Sequence, residues 1–325
     1  MGGGYLTTSM DVRRASEVCE SVADAVGDAV ICDREFLETI LVGFVGRGHV
    51  LLEDVPGTGK TLTARSVADA LGLSFSRIQF TPDLLPADVT GTHVFDEQEG
   101  TFEFTEGPIF ANVVLADEIN RAPPKTQSAL LEAMEEGQVT VDGDTHALPE
   151  PFFVIATQNP VEQEGTFPLP EAQVDRFLVK TSMGYPDEAD ETELLRRRAA
   201  RETTTPSVDA VLERETVERL REVPESVHVE ADLLEYMVEI ARSTRTDARV
   251  EVGVSPRGTQ RLFEAARAYA AISGQEFVTP DDVKRVADPV LTHRLVLTPD
   301  ATVDRIEKAD VVSSVLESVP VPTVD

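Results

Sequence analysis

The sequence predicts an α/β fold in which a parallel sheet is followed by a smaller, all-helical domain. Three observations lead to this fold class. Short apolar runs alternate with segments of helical spacing, a glycine-rich loop joins the first run to a helix, and strand signals fade after residue 186. Apolar runs without polar alternation are typical of buried parallel strands. Where such strands alternate with helices, the ligand usually lies at the carboxyl ends of the strands.

The predicted elements follow in order along the chain. Apolar positions over 12–45 have helical spacing and precede the first strand. Five apolar runs are the predicted strands of the sheet: 49–52, 75–80, 113–116, 152–156 and 177–181. Two hairpins interrupt the sheet, near 94–104 and near 139–148. The second hairpin turns at Asp142-Gly143, which is a strong two-residue turn signal.

The remainder of the chain is predicted to be helical. Helical spacing covers five segments: 188–201, 231–242, 255–272, 280–291 and 302–317. Ser255-Pro256 and Thr279-Pro280 each combine a helix cap with a proline in the first turn. The predicted domains are therefore a disordered tail over 1–14, a sheet-containing core over 15–186 and a helical lid over 187–325.

Length and composition restrict the class of protein. A chain of 325 residues with 41% hydrophobic content has room for about two domains, each with its own core. No apolar run approaches the roughly 18 residues of a membrane span. The two cysteines, Cys19 and Cys32, lack metal-type spacing and favour a reducing compartment. We therefore expect a cytoplasmic protein without an integral membrane segment.

The acidic surface has two interpretations. The chain carries 59 acidic and 29 basic residues, for a net charge of −30, and the acids are spread over its whole length. Such a surface in a lysine-poor chain is typical of a protein kept soluble in concentrated salt, as in halophilic archaea, where the Debye length falls to about 3 Å at 1 M. The alternative is a repulsive surface that excludes nucleic acid. Salt adaptation is the favoured interpretation, and it weakens any inference from net charge to partner.

The glycine-rich loop predicts a nucleotide-binding site. Its candidate binding residues are Pro56, Gly57, Thr58, Gly59, Lys60, Thr61 and Leu62. Glycines let backbone N–H groups turn onto phosphates, and the helix that follows directs its positive N-terminus at them. Lys60 can reach the β- and γ-phosphate oxygens, and the Thr61 hydroxyl can coordinate Mg²⁺. Asp54 stands where the usual motif has its first glycine, and a plain glycine-rich turn is the alternative interpretation.

Paired carboxylates follow the third predicted strand. Asp117 and Glu118 come directly after Val113-Val114-Leu115-Ala116. An enzyme with a phosphate loop needs an acid at such a strand end to hold Mg²⁺, and Asp117 suits that role. Glu118 could orient and deprotonate the water that attacks the γ-phosphate. The position of the pair after a buried strand favours hydrolysis over a chance pair in an acidic chain.

Further candidates are one asparagine and three arginines. Asn159 ends the fourth strand, where a polar side chain could contact the attacking water or the γ-phosphate, although Asn-Pro is also an ordinary turn signal. Arg176 precedes the fifth strand and Arg257 begins a helix of the second domain. Either could stabilise charge on a transferred phosphoryl group, or form a surface ion pair. Arg121 could pair with Glu118 or with an adjacent subunit.

Several longer motifs resemble one family. They are Gly107 to Asn112, LADEINRAPPK over 115–125, QSALLEAM over 127–134, Ile155 to Pro160, and LPEAQVDRF over 169–177. These motifs are similar to those of the MoxR family of AAA+ ATPases, and the resemblance covers about residues 15–300. It implies an AAA+ P-loop αβα sandwich followed by a helical lid, with ATP and Mg²⁺ as ligands. The hairpins resemble the family's helix-2 insert and pre-sensor-1 hairpin, which face the pore in related rings.

The resemblance also implies a role for each candidate residue. Lys60 and Thr61 match Walker A, while Asp117 and Glu118 match Walker B. Asn159 matches sensor 1. Arg176 matches the arginine finger that acts on the neighbouring subunit's ATP, and Arg257 matches sensor 2. A ring, usually of six subunits, is the assembly that this family implies.

Three functions compete at this point. A MoxR-type ATPase would remodel or assemble partner proteins, and the family suggests clients that carry von Willebrand factor A domains. A helicase-like AAA+ motor would translocate nucleic acid and would need basic pore hairpins, because phosphate contacts require lysine or arginine. Both hairpins are acidic, so we expect no nucleic acid partner. A small-molecule kinase is disfavoured, because the second domain resembles a lid and offers no evident acceptor site.

Overall fold

The computed structural model describes residues 10–98, 100–160 and 165–322, and it divides into two compact units. The first unit runs from Val22 to Val211, and the second combines the segment ending at Ser21 with the chain from Leu212 onward. Residues 1–9 of the predicted tail and Glu99 of the first hairpin lie outside the described residues. The predicted disorder is wrong for residues 12–14, because they form the first turn of a helix with Val12 buried.

The strands and helices are numbered in chain order. The strands are β1 (Val50–Glu53), β2 (Phe75–Gln79), β3 (Gly91–Asp96), β4 (Thr101–Glu106), β5 (Val113–Asp117), β6 (Gln138–Val141), β7 (Asp144–Ala147), β8 (Phe153–Gln158), β9 (Val179–Thr181), β10 (Val250–Val252) and β11 (Val296–Leu297). The helices are α1 (Val12–Ala29), α2 (Arg34–Val45), α3 (Lys60–Ala70), α4 (Pro86–Thr90), α5 (Pro124–Glu136), α6 (Glu171–Val174), α7 (Glu188–Ala200), α8 (Arg214–Leu220), α9 (Ala231–Thr246), α10 (Pro256–Ile272), α11 (Pro280–Leu291), α12 (Pro299–Val303) and α13 (Lys308–Ser318). Short 3₁₀ turns occupy Ile119–Arg121, Val223–Ser226 and Thr292–Arg294.

The first unit is built on a five-stranded parallel sheet in the order β2-β5-β8-β1-β9. These are the five predicted strands, and each of their pairings is parallel. Every residue of β5 is buried, as is nearly all of β8, which explains why neither strand shows polar alternation. Since β1 lies between β8 and β9, the loop after β1 meets the carboxyl ends of several strands at once.

Both predicted hairpins are present. Strands β3 and β4 pair antiparallel, and so do β6 and β7. Asp142 and Gly143 have positive φ values of 52° and 95°, the conformation that a two-residue hairpin turn requires. Helix α5 lies between the hairpins and ends at Gly137, whose φ is 63°. Glycine adopts that left-handed conformation at little cost.

The second unit is mainly helical and adds one small strand pair. Helices α8 to α13 include the predicted caps, with Ser255 and Thr279 accepting hydrogen bonds from backbone N–H groups of the first turn. Strands β10 and β11 form an antiparallel pair that the sequence patterns did not reveal. The single helix predicted over 302–317 is two helices, α12 and α13, because the chain turns between them at Arg305, whose φ is 57°.

The boundary between the units lies further along the chain than the predicted division at 186 and 187. Helix α7 belongs to the sheet-containing unit, in which Arg197 donates hydrogen bonds to the carbonyls of Gly27 and Asp28. The apolar strand pattern in the sequence ends with the last strand of the sheet. The compact unit continues beyond that strand, because α7 still belongs to it. Within the described residues, no helix has the length and apolar character needed to cross a membrane.

Candidate active site

A cavity of about 440 Å³ opens at the carboxyl ends of the central strands. Four segments line it: the loop after β1 with the start of α3, the end of β2, the end of β5 and the end of β8. Parallel strands end at the same edge of a sheet, so residues that are distant in sequence meet here. The cavity lies wholly within the first unit.

The phosphate loop has the backbone conformation that the motif predicts. Gly57 and Gly59 have φ values of 91° and 102°, which side-chain-bearing residues rarely adopt. Gly59 caps α3, whose first-turn N–H groups and positive dipole end can therefore receive an anion. Lys60 is buried, and its Nζ donates to the carbonyls of Asp54 at 3.1 Å and Val55 at 2.6 Å. These contacts keep the ammonium at the loop.

Asp54, which replaces the first glycine of the usual motif, has a structural role that glycine could not fill. Its side chain is buried, and its two carboxylate oxygens accept three hydrogen bonds from the segment after β9. Ser182 Oγ donates at 2.7 Å, the Met183 N–H at 2.7 Å and the Gly184 N–H at 3.0 Å. A glycine at this position could accept none of these bonds.

Asp117 is positioned by its neighbours on both sides. Thr157 Oγ1, on β8, donates to Asp117 Oδ1 at 2.7 Å and accepts from the Glu118 N–H at 2.8 Å. Arg77, on β2, donates to Asp117 Oδ2 from Nε at 3.1 Å and from Nη2 at 2.7 Å. Both Asp117 oxygens therefore have a defined orientation at the cavity wall.

Glu118 lies in the left-handed region with a φ of 58°. For a residue with a Cβ this conformation costs about 1–3 kcal/mol, and such strain is common at functional sites. Its Oε2 accepts from Gln79 Nε2 at 2.7 Å and forms an ion pair with Arg121 Nη1 at 3.2 Å. The first of the two alternatives for Arg121, a pair with Glu118, is thus the one present within this chain.

The remaining candidates fall in different places. Asn159 is buried at the end of β8 and lines the cavity with Gln158. Arg176 does not line the described cavity, and its Nη2 instead forms an ion pair at 3.1 Å with Glu135 at the end of α5. Arg257 lies half-buried in the first turn of α10, in the second unit. The structure therefore assembles the predicted loop, acids and asparagine, while the two arginines lie elsewhere.

The residues at the cavity suit a magnesium ion. Thr61 and Asp117 offer a hydroxyl and a carboxylate, the hard oxygen ligands that Mg²⁺ prefers beside substrate phosphates. Arg77 also donates to Asp117, but its side chain is 46% exposed, so the guanidinium can turn to solvent when a cation takes its place. The donor set therefore fits Mg²⁺ held at Thr61 and Asp117.

Sequence reasoning missed Arg77, Gln79 and Thr157. Arg77 and Gln79 lie within the predicted strand 75–80, and Thr157 lies one residue beyond the predicted strand 152–156. The register of β2 and β5 explains the role of Gln79, because it places Gln79 opposite Asp117. Finding this role requires the order of the strands, which no local pattern supplies.

Comparison with known proteins identifies two regions of the chain. Residues 49–179 match the ATPase family associated with various cellular activities (AAA), and residues 242–315 match the AAA lid domain. The chain is 47% identical over 299 residues to the uncharacterised protein YeaC of Bacillus subtilis, covering 91% of this chain and 92% of that protein. It is 43% identical over 305 residues to the chaperone MoxR1 of Mycobacterium tuberculosis, covering 91% and 80% respectively. The structure of a candidate ATPase from Cytophaga hutchinsonii superposes with a TM-score of 0.89 at 38% identity, covering 96% of this chain and 97% of the other.

Proposed function

This chain belongs to the MoxR family of AAA+ ATPases, and on that basis we propose that it hydrolyses ATP to ADP and phosphate at the cavity beside Lys60 and Glu118. One observation carries the proposal: the phosphate loop and the carboxylates of β5 line the same cavity. A loop alone would support binding, whereas a carboxylate pair beside it also offers a metal ligand and a base.

Binding of the triphosphate rests on the loop and the start of α3. Backbone N–H groups from Gly57 to Thr61 would donate to phosphate oxygens, and Lys60 would exchange its two carbonyl partners for phosphate. Because the loop already has its bent conformation, little ordering is needed on binding. Mg²⁺, held at Thr61 and Asp117, would neutralise charge on the β- and γ-phosphate oxygens.

Hydrolysis rests on Glu118 and Asn159. Water attacks the γ-phosphorus, the bond to the leaving ADP oxygen breaks, and the proton of the water passes to the Glu118 carboxylate. Asn159 directly follows β8, the strand next to the acids, and would orient that water through its side-chain amide. Thr157 is a positioning residue, since it contacts both acids and lies behind them.

Arg176 and Arg257 are assigned to an ATP site shared between neighbouring subunits and to a lid that moves on hydrolysis. Arg176 is held by Glu135 away from its own cavity, which suits an arginine that acts on a neighbouring subunit's ATP. Head-to-tail contacts of this kind close into a ring or grow into a filament, and a hexameric ring is the assembly proposed here. Arg257 would sense the γ-phosphate from the lid, which would convert phosphate loss into domain rotation.

The proposed work is chaperone-like remodelling of a protein partner in the cytoplasm, with von Willebrand factor A domain proteins as candidate clients. The relative MoxR1 is a chaperone, which supports this class. A nucleic-acid motor is the alternative. The hairpin formed by β3 and β4 carries Asp96, Glu97 and Glu103, and the other carries the exposed Asp142 and Asp144. Carboxylates there would repel the phosphates of a nucleic acid. Stimulation of ATP hydrolysis by single-stranded DNA would be the result that favours the nucleic-acid motor.

Loss of the Lys60 ammonium tests nucleotide binding. In Lys60→Ala the loop loses its charge-assisted bond to phosphate, worth about 1.5–3 kcal/mol, so ATP should bind roughly 10- to 150-fold more weakly. Binding is measured by titration with a fluorescent ATP analogue in molar KCl, the condition suggested by the acidic surface. The matched control is Lys125→Ala on the exposed side of α5, which should bind normally. Equal affinity in both variants would refute the proposed phosphate site.

Removal of the Gln79 amide tests whether Glu118 is restrained before catalysis. Gln79 and Arg121 both contact Oε2 of Glu118, so loss of the Gln79 amide removes one of the two contacts that hold this carboxylate back from the attacking water. A hydrogen bond of this kind contributes about 1 kcal/mol, so Gln79→Ala should raise the basal kcat about fivefold with little change in KM. Steady-state ATPase kinetics measure both constants. A kcat that falls together with binding would show that Gln79 serves the nucleotide instead.

A further inference from the structure

The buried carboxylate of Asp54 joins the phosphate loop to the turn formed by residues 182–184. Asp54 is 4% exposed, and burial of a carboxylate is costly unless its oxygens are hydrogen-bonded. Three donors from the 182–184 turn satisfy both oxygens at 2.7–3.0 Å. Two of these donors are backbone N–H groups, so the bonds fix the path of the chain as well as side-chain positions.

The main chain of Asp54 is connected in two other directions. Its carbonyl accepts from Lys60 Nζ, and its N–H donates to the Gln158 carbonyl of β8 at 3.2 Å. The same segment also comes close to the loop at Gly59, where Met183 Sδ lies 3.8 Å from the position that a Cβ would occupy. The 182–184 turn is therefore bonded to the loop at Asp54 and passes close to it at Gly59.

The 182–184 turn is the exit of the chain from the sheet. It follows β9 directly and contains Gly184, whose φ of 70° allows the chain to change direction. The chain then passes through Tyr185 and Pro186 into α7, and the second unit begins at Leu212. A change in the stability of this turn is thus a change at the point where the chain leaves the sheet for α7, within the same unit.

We infer that Asp54 is a positioning residue that couples occupation of the phosphate site to the stability of the 182–184 turn. The inference rests on the proposed nucleotide binding and adds a regulatory connection to that same site. Lys60 releases the Asp54 carbonyl when it turns to phosphate. Phosphate held by the loop nevertheless immobilises Gly57 to Thr61, and with them Asp54, which lies three residues before Gly57 and stays bonded to β8 through its N–H. The N–H groups of Met183 and Gly184 then open less often, because opening requires the loop to move.

Hydrogen exchange at single amides tests the coupling. Exchange is followed for the full-length chain in molar KCl, with and without saturating AMP-PNP and Mg²⁺. In the unaltered protein, AMP-PNP should slow exchange in the loop 57–61, and it should slow exchange at Met183 and Gly184 about tenfold or more.

Asp54→Gly removes all three bonds and restores the usual glycine. AMP-PNP should still slow exchange in the loop, but Met183 and Gly184 should exchange fast and no longer respond. Ser182→Ala removes one donor and provides a milder variant that keeps the backbone bonds, so the response should shrink without vanishing.

The matched control is Glu53→Gln, which breaks the ion pair between Glu53 and Lys180 across β1 and β9 without contacting the three donors. This control should respond as the unaltered protein does.

The outcomes separate the two proposals. If AMP-PNP leaves the loop 57–61 unchanged in the unaltered protein, nucleotide binding itself fails, and the coupling fails with it. If the loop is protected while Met183 and Gly184 do not respond, only the coupling is overturned. A full response of these two amides in Asp54→Gly would likewise overturn it, because the turn would then sense the nucleotide by another route.

Discussion

Replacing Glu118 with glutamine (Glu118→Gln) is expected to remove most ATP hydrolysis while leaving ATP binding intact. Glutamine has the same shape but cannot accept the proton of the attacking water. General base catalysis contributes about 10²- to 10⁴-fold, so kcat should fall by that factor. Binding should persist, because Lys60 and the loop are the proposed phosphate ligands, whereas Glu118 is held by Gln79 and Arg121. Steady-state ATPase rates and ATP affinity are measured together in molar KCl.

A second acidic residue provides the control for Glu118→Gln. Glu132 lies on the exposed side of α5, and Glu132→Gln removes the same charge from the same protein. Its turnover should match that of the unaltered chain. If Glu118→Gln retains more than about a third of normal turnover, the proton must leave by another route, and Glu118 is not the base.

Replacing Arg176 with alanine (Arg176→Ala) is expected to abolish turnover by loss of charge stabilisation in trans. An arginine supplied to a phosphoryl-transfer site is worth roughly 10³- to 10⁵-fold in rate. Within its own chain Arg176 pairs with Glu135, with side-chain exposures of 28% and 34%. Ion pairs this open contribute about 0–1 kcal/mol, so the guanidinium can leave Glu135 for a neighbouring subunit.

Mixing two inactive proteins tests whether the site is shared. Glu118→Gln keeps Arg176, and Arg176→Ala keeps Glu118, so one arrangement of neighbours in a mixed ring completes a site. With random 1:1 mixing, half of the sites keep Glu118 and half of those face an intact Arg176, so about a quarter of normal activity should return if sites act independently. ATPase rates of the separate and co-assembled proteins measure this recovery.

The control for this mixture is Arg34→Ala. Arg34 is an exposed arginine of α2 that pairs with Asp24, and its loss should leave turnover unchanged. Mixtures that stay inactive despite normal assembly would place Arg176 within its own chain or outside catalysis altogether.

Much of the site was predictable because its chemistry is encoded over short stretches of sequence. Gly57, Gly59 and Lys60 are close neighbours in the chain, and their types and spacing are enough to specify a bent loop that opens a helix. Asp117 and Glu118 were recognisable because an apolar strand precedes them directly. The alternation of apolar runs and helical spacing predicted the five sheet strands for a similar reason, since burial on both faces leaves a local pattern.

The sequence by itself determined the fold class, the phosphate loop and the acid pair, because each depends on residues that are adjacent or a few positions apart. Only the tertiary structure decided what those residues contact. Gln79 and Glu118 are 39 positions apart, and Asp54 and Ser182 are 128 positions apart, yet each pair is joined at 2.7 Å. Such contacts follow from the order of strands in the sheet, which brings remote strand ends together. Asp54 therefore stands out in the sequence as a departure from a motif, and in the folded chain as the acceptor that connects the loop to the turn after β9.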